Sequence, residues 1–307
     1  MYDLIIVGGG PAGVAAGVYA ARKKIKTLLI AKEFGGQSLA SADIQNWIGA
    51  KSISGFDLAK NLEEHLRAQE EIEILDGDFV AKVEKSKGKS FKAVTESGKN
   101  FEAKTVLVCS GSHHKKLGVP GEDKLNGRGV VYCSTCDAPL FGGKTVAVVG
   151  AGNAGLEAVR DLFAYADKIY LLVRGDAMKG DPVTLEEIKA NPKLEIKYQV
   201  EVREILGEQL VTGVRYLDKA KNQTEELKLD GVFVEIGSAP NSDLVKDLVE
   251  LDERGQIIVD HKTQMTSFSG IWAAGDVSDV LYKQNNISAG DAVKAVLNIY
   301  DHLNKNK

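Results

Sequence analysis

Residues 3–13, Asp3-Leu4-Ile5-Ile6-Val7-Gly8-Gly9-Gly10-Pro11-Ala12-Gly13, decide the fold. Leu4–Val7 is a short unbroken apolar run, the pattern of a strand buried on both faces, as in a parallel sheet. Glycines follow at once. An alanine-rich helical stretch then runs to about Lys24, and a second apolar strand occupies Thr27–Ala31. Strand, glycine turn, helix and strand in that order make a βαβ start. At such a turn Gly8 permits the tight bend and Gly10 lets a pyrophosphate approach the backbone. Gly13 lets helix and strand pack closely, and the helix N-terminus faces the phosphates. Pro11 and Ala12 complete the GGGPAG motif, and Glu33, just past the second strand, is placed to bond a ribose hydroxyl. A glycine-rich turn with no ligand is the alternative; the flanking elements make a dinucleotide site the expectation.

The same order returns downstream. Thr145–Val149 is strand-like and GAGNAG follows, with Gly150, Gly152, Asn153, Ala154 and Gly155. A helix to about Ala166 and a strand at Ile169–Val173 come next. Each half then carries short strands, between Phe79 and Thr105 (turns at Lys87–Gly88 and Ser97–Gly98) and between Leu194 and Leu229. Each closes on an apolar strand ending in glycine, Val106–Gly111 and Val232–Gly237. This self-similarity points to duplicated dinucleotide-binding units. The segment after Asn241 contains Ile257–Val259, Gly270–Asp276 and a last helix from about Ala289 to Leu303. That helix is apolar at Val293, Val296, Ile299, Tyr300 and Leu303, and the segment is expected to return to the first half. The expected fold class is α/β: two Rossmann-like three-layer dinucleotide-binding domains, the second inserted into the first. The boundaries are 1–112 with 241–307, and 113–240, with hinges near Ser112–Gly118 and Gly237–Asn241.

A length of 307 residues suits two domains, and 44% hydrophobic with 27% charged residues is ordinary globular composition. A net charge of −4 without a long basic run argues against nucleic acid or an anionic membrane as partner. The apolar runs are too short to span a bilayer. The chain passes from Met1 straight into a strand, so a cytoplasmic location is expected. Three cysteines are no disulfide framework. In a reducing compartment a close pair is more often catalytic or metal-binding.

That pair is Cys133-Ser134-Thr135-Cys136. The spacing suits a disulfide that opens and closes in place: one thiolate attacks a partner and the other resolves the mixed disulfide. A zinc half-site completed by Cys109, His113 and His114, or two inert core cysteines, are the alternatives. Asp137 reads as an acid that protonates a flavin nitrogen or a leaving thiolate, or as a helix cap. Cys109 reads as a small buried hydrophobe, and His113 and His114 as residues of a polar loop. Gly275-Asp276, at the end of Ile271–Ala274, is placed to bond ribityl hydroxyls, and the last helix to stabilise negative charge on reduced flavin. Two glycine motifs imply two dinucleotides, and FAD with NADPH or NADH is the economical pair.

The order GGGPAG, GGQ, CSTCD, GAGNAG and AAGD resembles low-molecular-weight thioredoxin reductases over essentially the whole chain. The resemblance implies that residues 1–112 and 241–307 hold FAD and that 113–240 hold the nicotinamide dinucleotide. Gly35, Gly36, Gln37, Asn46, Gly111, Gly275, Asp276 and Gln284 then join the FAD contacts. It further implies that Cys136 faces the flavin, that Cys133 attacks the partner disulfide, that the chain forms a homodimer and that the nicotinamide domain rotates. The chain departs from the family at Cys109-Ser110-Gly111, where Ala-Thr-Gly is common. It departs again after Val173, where NADPH-specific members carry His-Arg-Arg and a later arginine; here Arg174, Gly175 and Lys179 stand. Met178–Asp181 and Tyr282-Lys283-Gln284 look more like the flavoprotein subunit of bacterial alkyl hydroperoxide reductase. That relative uses NADH and has an N-terminal thioredoxin-like extension, which is not read here. The implied acceptor is a separate thioredoxin-like or glutaredoxin-like protein, or a peroxiredoxin-system partner. A ferredoxin-driven disulfide reductase and a non-catalytic flavin redox sensor are the rival readings.

Overall fold

A computed structural model describes residues 1–41, 43–86, 88 and 90–305. The turn expected at Lys87–Gly88 rests on Lys87, and the expected domain limit on Lys307; both lie outside the described residues. The chain divides into two compact units. Residues 1–42, 47–113 and 239–307 form one, and residues 43–46 and 114–238 the other. The chain passes between them within the paired segments Ser112–His114 and Ser238–Pro240.

In the first unit the strands are β1 (Tyr2–Gly9), β2 (Thr27–Phe34), β3 (Ile72–Asp76), β4 (Val80–Lys85), β5 (Phe91–Thr95), β6 (Asn100–Val108) and β7 (Ser112–His114). The helices before β7 are α1 (Pro11–Arg22) and α2 (Gly55–Arg67). The second unit adds β8 (Val130–Val131), α3 (Ser134–Asp137), β9 (Thr145–Val149), α4 (Asn153–Leu162), β10 (Lys168–Leu172) and α5 (Pro182–Lys189). It continues with β11 (Leu194–Lys197), β12 (Val200–Gly207), β13 (Val211–Asp218), β14 (Gln223–Lys228) and β15 (Gly231–Val234). The chain returns through β16 (Ser238–Pro240), β17 (Val259–Asp260), β18 (Met265–Thr266), β19 (Ile271–Ala273) and α6 (Asn285–Lys305).

Each unit is built on five parallel strands, in the orders β3-β2-β1-β6-β19 and β11-β10-β9-β15-β8. Alternation along β1 explains the layers, because successive side chains point to opposite faces. Leu4 and Ile6 pack with α1 and α6 in one cluster, while Ile5 and Val7 pack with Val80, Val83, Phe91 and Ala93 of β4 and β5 in another. The second unit repeats this. Val146 and Val148 pack on Leu156, Val159 and Leu162 of α4, and Ala147 and Val149 on Val200, Val202 and Val214 of the antiparallel sheet β12-β13-β14. Each fully buried Val, Leu or Ile contributes about 1.5–3 kcal/mol, so these two-sided strands are where the apolar residues stabilise most.

α1 begins with Pro11 at its first turn, where a missing N–H costs nothing, and ends at Arg22, after which Lys24 turns with φ +54°. Three local expectations shift. α4 stops at Leu162, short of Ala166; α6 starts at Asn285, before Ala289; and His113 and His114 lie in β7 rather than a loop. The segment after Asn241 joins the first unit, since β19 pairs with β6. Among the described residues no helix is long and apolar enough to cross a membrane.

Candidate functional site

The two glycine turns share one geometry. Gly8 has φ +113° and Gly150 φ +143°, a region L side chains avoid. A side chain at Gly8 would strike the Cys109 carbonyl, and one at Gly150 the Glu235 carbonyl. Side chains at Gly13 and Gly155 would strike the carbonyls of Gly8 and Gly150. These are close helix–strand approaches. Gly10 and Gly152 are different, because nothing lies within 4 Å of a side chain built there. Both are helix N-caps without a side-chain cap bond, whereas α2 is capped by Ser54 and α5 by Asp181. α1 and α4 thus begin without a side-chain cap, with room at the cap residue, at the positive end of a helix dipole, a setting that fits a pyrophosphate.

The first unit gathers further expected residues around its turn. Gly35 and Gly36 adopt φ +93° and +56°, and a side chain at Gly36 would lie 3.6 Å from the Gly10 Cα. Gln37 donates to Ser112 Oγ at 3.2 Å. Glu33 is exposed near the end of β2, and its carbonyl backs Gly9. Gly275, at φ +77°, abuts the start of α1; a side chain there would meet Ser288 Oγ at 3.0 Å and Ala12 Cβ at 3.3 Å. Asp276 accepts from Ser288 Oγ at 3.2 Å, and burial pushes its carboxyl above the usual range. The Gln284 carbonyl accepts the N–H of Ser288 at 2.9 Å. The Gly111 carbonyl accepts from Asn241 N at 2.9 Å. Asn46 clusters with the second unit. Cys109 is buried in the first unit's core beside α1, and burial raises its thiol pKa far above the ordinary value.

In the second unit Cys133 and Cys136 form a disulfide, with Cα atoms 5.3 Å apart. The pair spans the start of α3 and directly follows β8 and Tyr132; both cysteines are partly exposed and Asp137 is buried. The loop after β10 is stitched to the glycine turn. Lys179 N donates to the Ala151 carbonyl at 2.8 Å and Asp181 N to Asn153 Oδ1 at 2.7 Å; a side chain at Gly180 would strike Leu156. This brings Lys179 beside Gly152, Asn153 and Ala154, all three exposed. Arg174 is exposed just past β10 and acts electrostatically on Glu201.

Several residues near these sites were missed by sequence reasoning. Ser288, Asn285 (donating to Ser38 Oγ at 3.0 Å) and Lys283 (donating to the Ser278 carbonyl at 2.5 Å) line the C-terminal side of the first unit. Burial lowers the Lys283 pKa. Glu235 and Asp161 meet the cysteine turn through Ser134. His114 stacks on Tyr132 with centroids 5.3 Å apart, and the Tyr132 hydroxyl donates to Glu122 at 3.0 Å. A charged residue closing a four-residue apolar strand, as Glu235 does after β15, was the available signal.

Comparison with known proteins agrees with this arrangement. The family model for pyridine nucleotide-disulphide oxidoreductases matches residues 2–294. The F subunit of alkyl hydroperoxide reductase from Pseudomonas putida is 42% identical over 306 residues, covering 98% of this chain and 58% of that protein. The Staphylococcus aureus protein of the same name is 40% identical over 305 residues, covering 99% and 60%. The chain therefore spans 58–60% of the length of these curated relatives. Thioredoxin reductase from Streptococcus pyogenes matches with a TM-score of 0.92 at 34% identity, covering 99% of each chain.

Two parallel dinucleotide folds with a cysteine pair in one of them define an oxidoreductase built on two nucleotide-binding domains. The chain belongs to the pyridine nucleotide-disulphide oxidoreductase family. That membership implies a flavin and a nicotinamide cofactor.

Proposed function

We propose that the chain is an NAD(P)H-dependent disulfide reductase that binds FAD in residues 1–112 with 241–307 and the nicotinamide dinucleotide in 113–240. In this reading it reduces a small thioredoxin-like or glutaredoxin-like protein. The observation that carries it is the Cys133–Cys136 disulfide, partly exposed, in the unit that also holds the more open glycine turn. A bound flavin would supply the two-electron chemistry that links a nicotinamide hydride to the disulfide. The protein's part is to hold and orient. The α1 N-terminus and Gly10 receive the FAD pyrophosphate, Asp276 the ribityl hydroxyls, and the α4 N-terminus with Lys179 the second dinucleotide. Cys133 attacks the partner disulfide and Cys136 resolves the mixed disulfide, with Asp137 as the acid. The likeness to the F subunit of alkyl hydroperoxide reductase supports a second reading, in which the acceptor belongs to a peroxide-reducing system.

The test is anaerobic mixing of purified protein with NADH and with NADPH, followed by a panel of thioredoxins, glutaredoxins and peroxiredoxins. Loss of flavin absorbance with either donor, then turnover with a protein disulfide, is the expected result. Changing Cys133 or Cys136 to Ser should lower that turnover by at least about a thousand-fold. Protein that stays colourless with added FAD, or a single cysteine variant that keeps full turnover, overturns the reading.

A further inference from the structure

α3 is a four-residue turn whose N-cap, Cys133, makes no side-chain cap bond. The turn is held from outside. The N–H of buried Ser134 donates to Glu235 Oε1 at 3.3 Å, and its hydroxyl donates to Asp161 Oδ2 at 2.9 Å. Glu235 comes from the residue directly after β15. Its backbone is fixed, since its carbonyl lies against Gly150. The groups facing its carboxyl are Ser134 and Asp137 from α3, and Asp161 and Glu157 from α4.

We propose that Glu235 is a positioning residue for the Cys133–Cys136 pair: its carboxyl holds the Ser134 N–H, and with it the turn bearing both sulfurs, and its charge governs how readily the reduced pair forms a thiolate. The proposal rests on the disulfide-exchange reading of that pair. Burial first, and then the charges of Asp161, Asp137 and Glu157, push the Glu235 carboxyl up to about 8, against the opposing pull of the Ser134 N–H. At neutral pH Glu235 is therefore protonated and leaves room for one negative charge on sulfur. Above that range it ionises, and a thiolate on the turn that it holds becomes a second negative charge, which it repels. Glutamine keeps the acceptor oxygen and the shape but cannot ionise; alanine removes both.

The test needs no donor, flavin chemistry or protein acceptor, so its failure is distinguishable from failure of the proposed function. The full-length protein is reduced with dithiothreitol, desalted and alkylated with iodoacetamide from pH 6 to pH 10. Modified peptides are quantified by mass spectrometry, which separates Cys133 and Cys136 from Cys109. In the wild type the rate rises in a stretched curve that flattens above about pH 8. In Glu235→Gln it rises in one step, equal to wild type near pH 6.5 and roughly three- to ten-fold faster above pH 8. Asp161→Asn, which keeps an acceptor for the Ser134 hydroxyl, should move the bend to lower pH. In equilibrium with glutathione, where two thiols of glutathione reduce the disulfide and yield one oxidised glutathione, Glu235→Ala should favour the open dithiol at least about five-fold, and Glu235→Gln should match wild type. Circular dichroism identifies any variant that fails to fold, and Asp161→Asn then carries the charge arm alone. A Gln profile that superimposes on wild type, an unmoved bend in Asp161→Asn, or an unchanged glutathione equilibrium in Glu235→Ala overturns the proposal.

Discussion

The first and second glycine turns are near-copies in backbone and opposites in setting. Around the first, Pro11, Ala12 and Gly13 are buried, and nine of the twelve residues of α1 are buried. Around the second, Gly152, Asn153 and Ala154 are exposed, and α4 buries only the face formed by Gly155, Leu156, Ala158, Val159 and Leu162. Both helices leave their first N–H groups without a side-chain cap, so both present the same anion-binding end. Under the proposed function, the more enclosed turn is the one expected to keep its dinucleotide as a resident group, and the exposed turn the one expected to exchange it at each cycle.

The largest expected effect comes from closing each turn. Gly13→Val forces a side chain into the Gly8 carbonyl. It should cost more than about 3 kcal/mol and yield colourless or insoluble protein. Gly155→Val makes the equivalent clash with the Gly150 carbonyl, on the buried face of α4 in the second unit. It should keep the flavin spectrum while raising the KM for the nicotinamide at least about ten-fold. Absorbance at the flavin band and steady-state kinetics on the two variants check this; equal flavin loss in both would erase the contrast.

Donor choice should be the next largest. Glu33 closes the second strand of the first unit, whereas Val173 and Arg174 follow the corresponding β10 of the second, with Gly175 and Lys179 beyond. The strand ends in Val173, where an acid would bond a ribose hydroxyl, Asp176 follows only in the loop and offsets part of the positive charge, and no arginine pair stands there to bond a 2′-phosphate. One bond to a charged group is worth about 1.5–3 kcal/mol, so the kcat/KM ratio between donors should stay below about a hundred-fold. Arg174→Ala should change it measurably. A thousand-fold preference in the wild type would show a specificity the loop does not account for.

A smaller effect separates the units by pH. The Glu235 carboxyl, raised to about 8 chiefly by burial, lies above its unfolded value near 4.3. A raised carboxyl contributes stability that is fully present below the unfolded value and is lost as pH rises through the folded one. Glu235→Gln should therefore gain on wild type between pH 5 and pH 9, by at least about 1 kcal/mol, in urea unfolding followed at those two pH values. An unchanged gap would mean the carboxyl is not perturbed in the folded chain.

The smallest effect concerns the capped helices. Ser54 Oγ accepts the Asp57 N–H at 3.0 Å at the start of α2, and Ser54→Ala should cost about 1 kcal/mol. Added FAD should not restore it, because this N-terminus is closed by its own side chain. Recovery on adding FAD would undo the distinction between capped and ligand-facing helices.

Much of this was legible without coordinates, because the signals were local. Two strand–glycine–helix–strand runs fixed the paired α/β units, since only glycine tolerates the bends at Gly8 and Gly150 and the close approaches at Gly13 and Gly155. The spacing of Cys133 and Cys136 carried their pairing for the same reason. The return of the segment after Asn241 to the first unit was also legible, but tertiary structure alone decided the strand order. In the first unit the fifth strand is β19, from near the chain's end, and it brings Gly275 against the start of α1. In the second it is β8, which precedes its own glycine turn and delivers the cysteines. Nor did any periodicity announce that Glu235 would meet Ser134, or that Lys179 and Asp181 would be tied to the second turn. These contacts join residues far apart in the chain through side-chain direction and strand register. Hydrophobic pattern fixes which face of a strand is buried, but not which distant segment comes to lie against it.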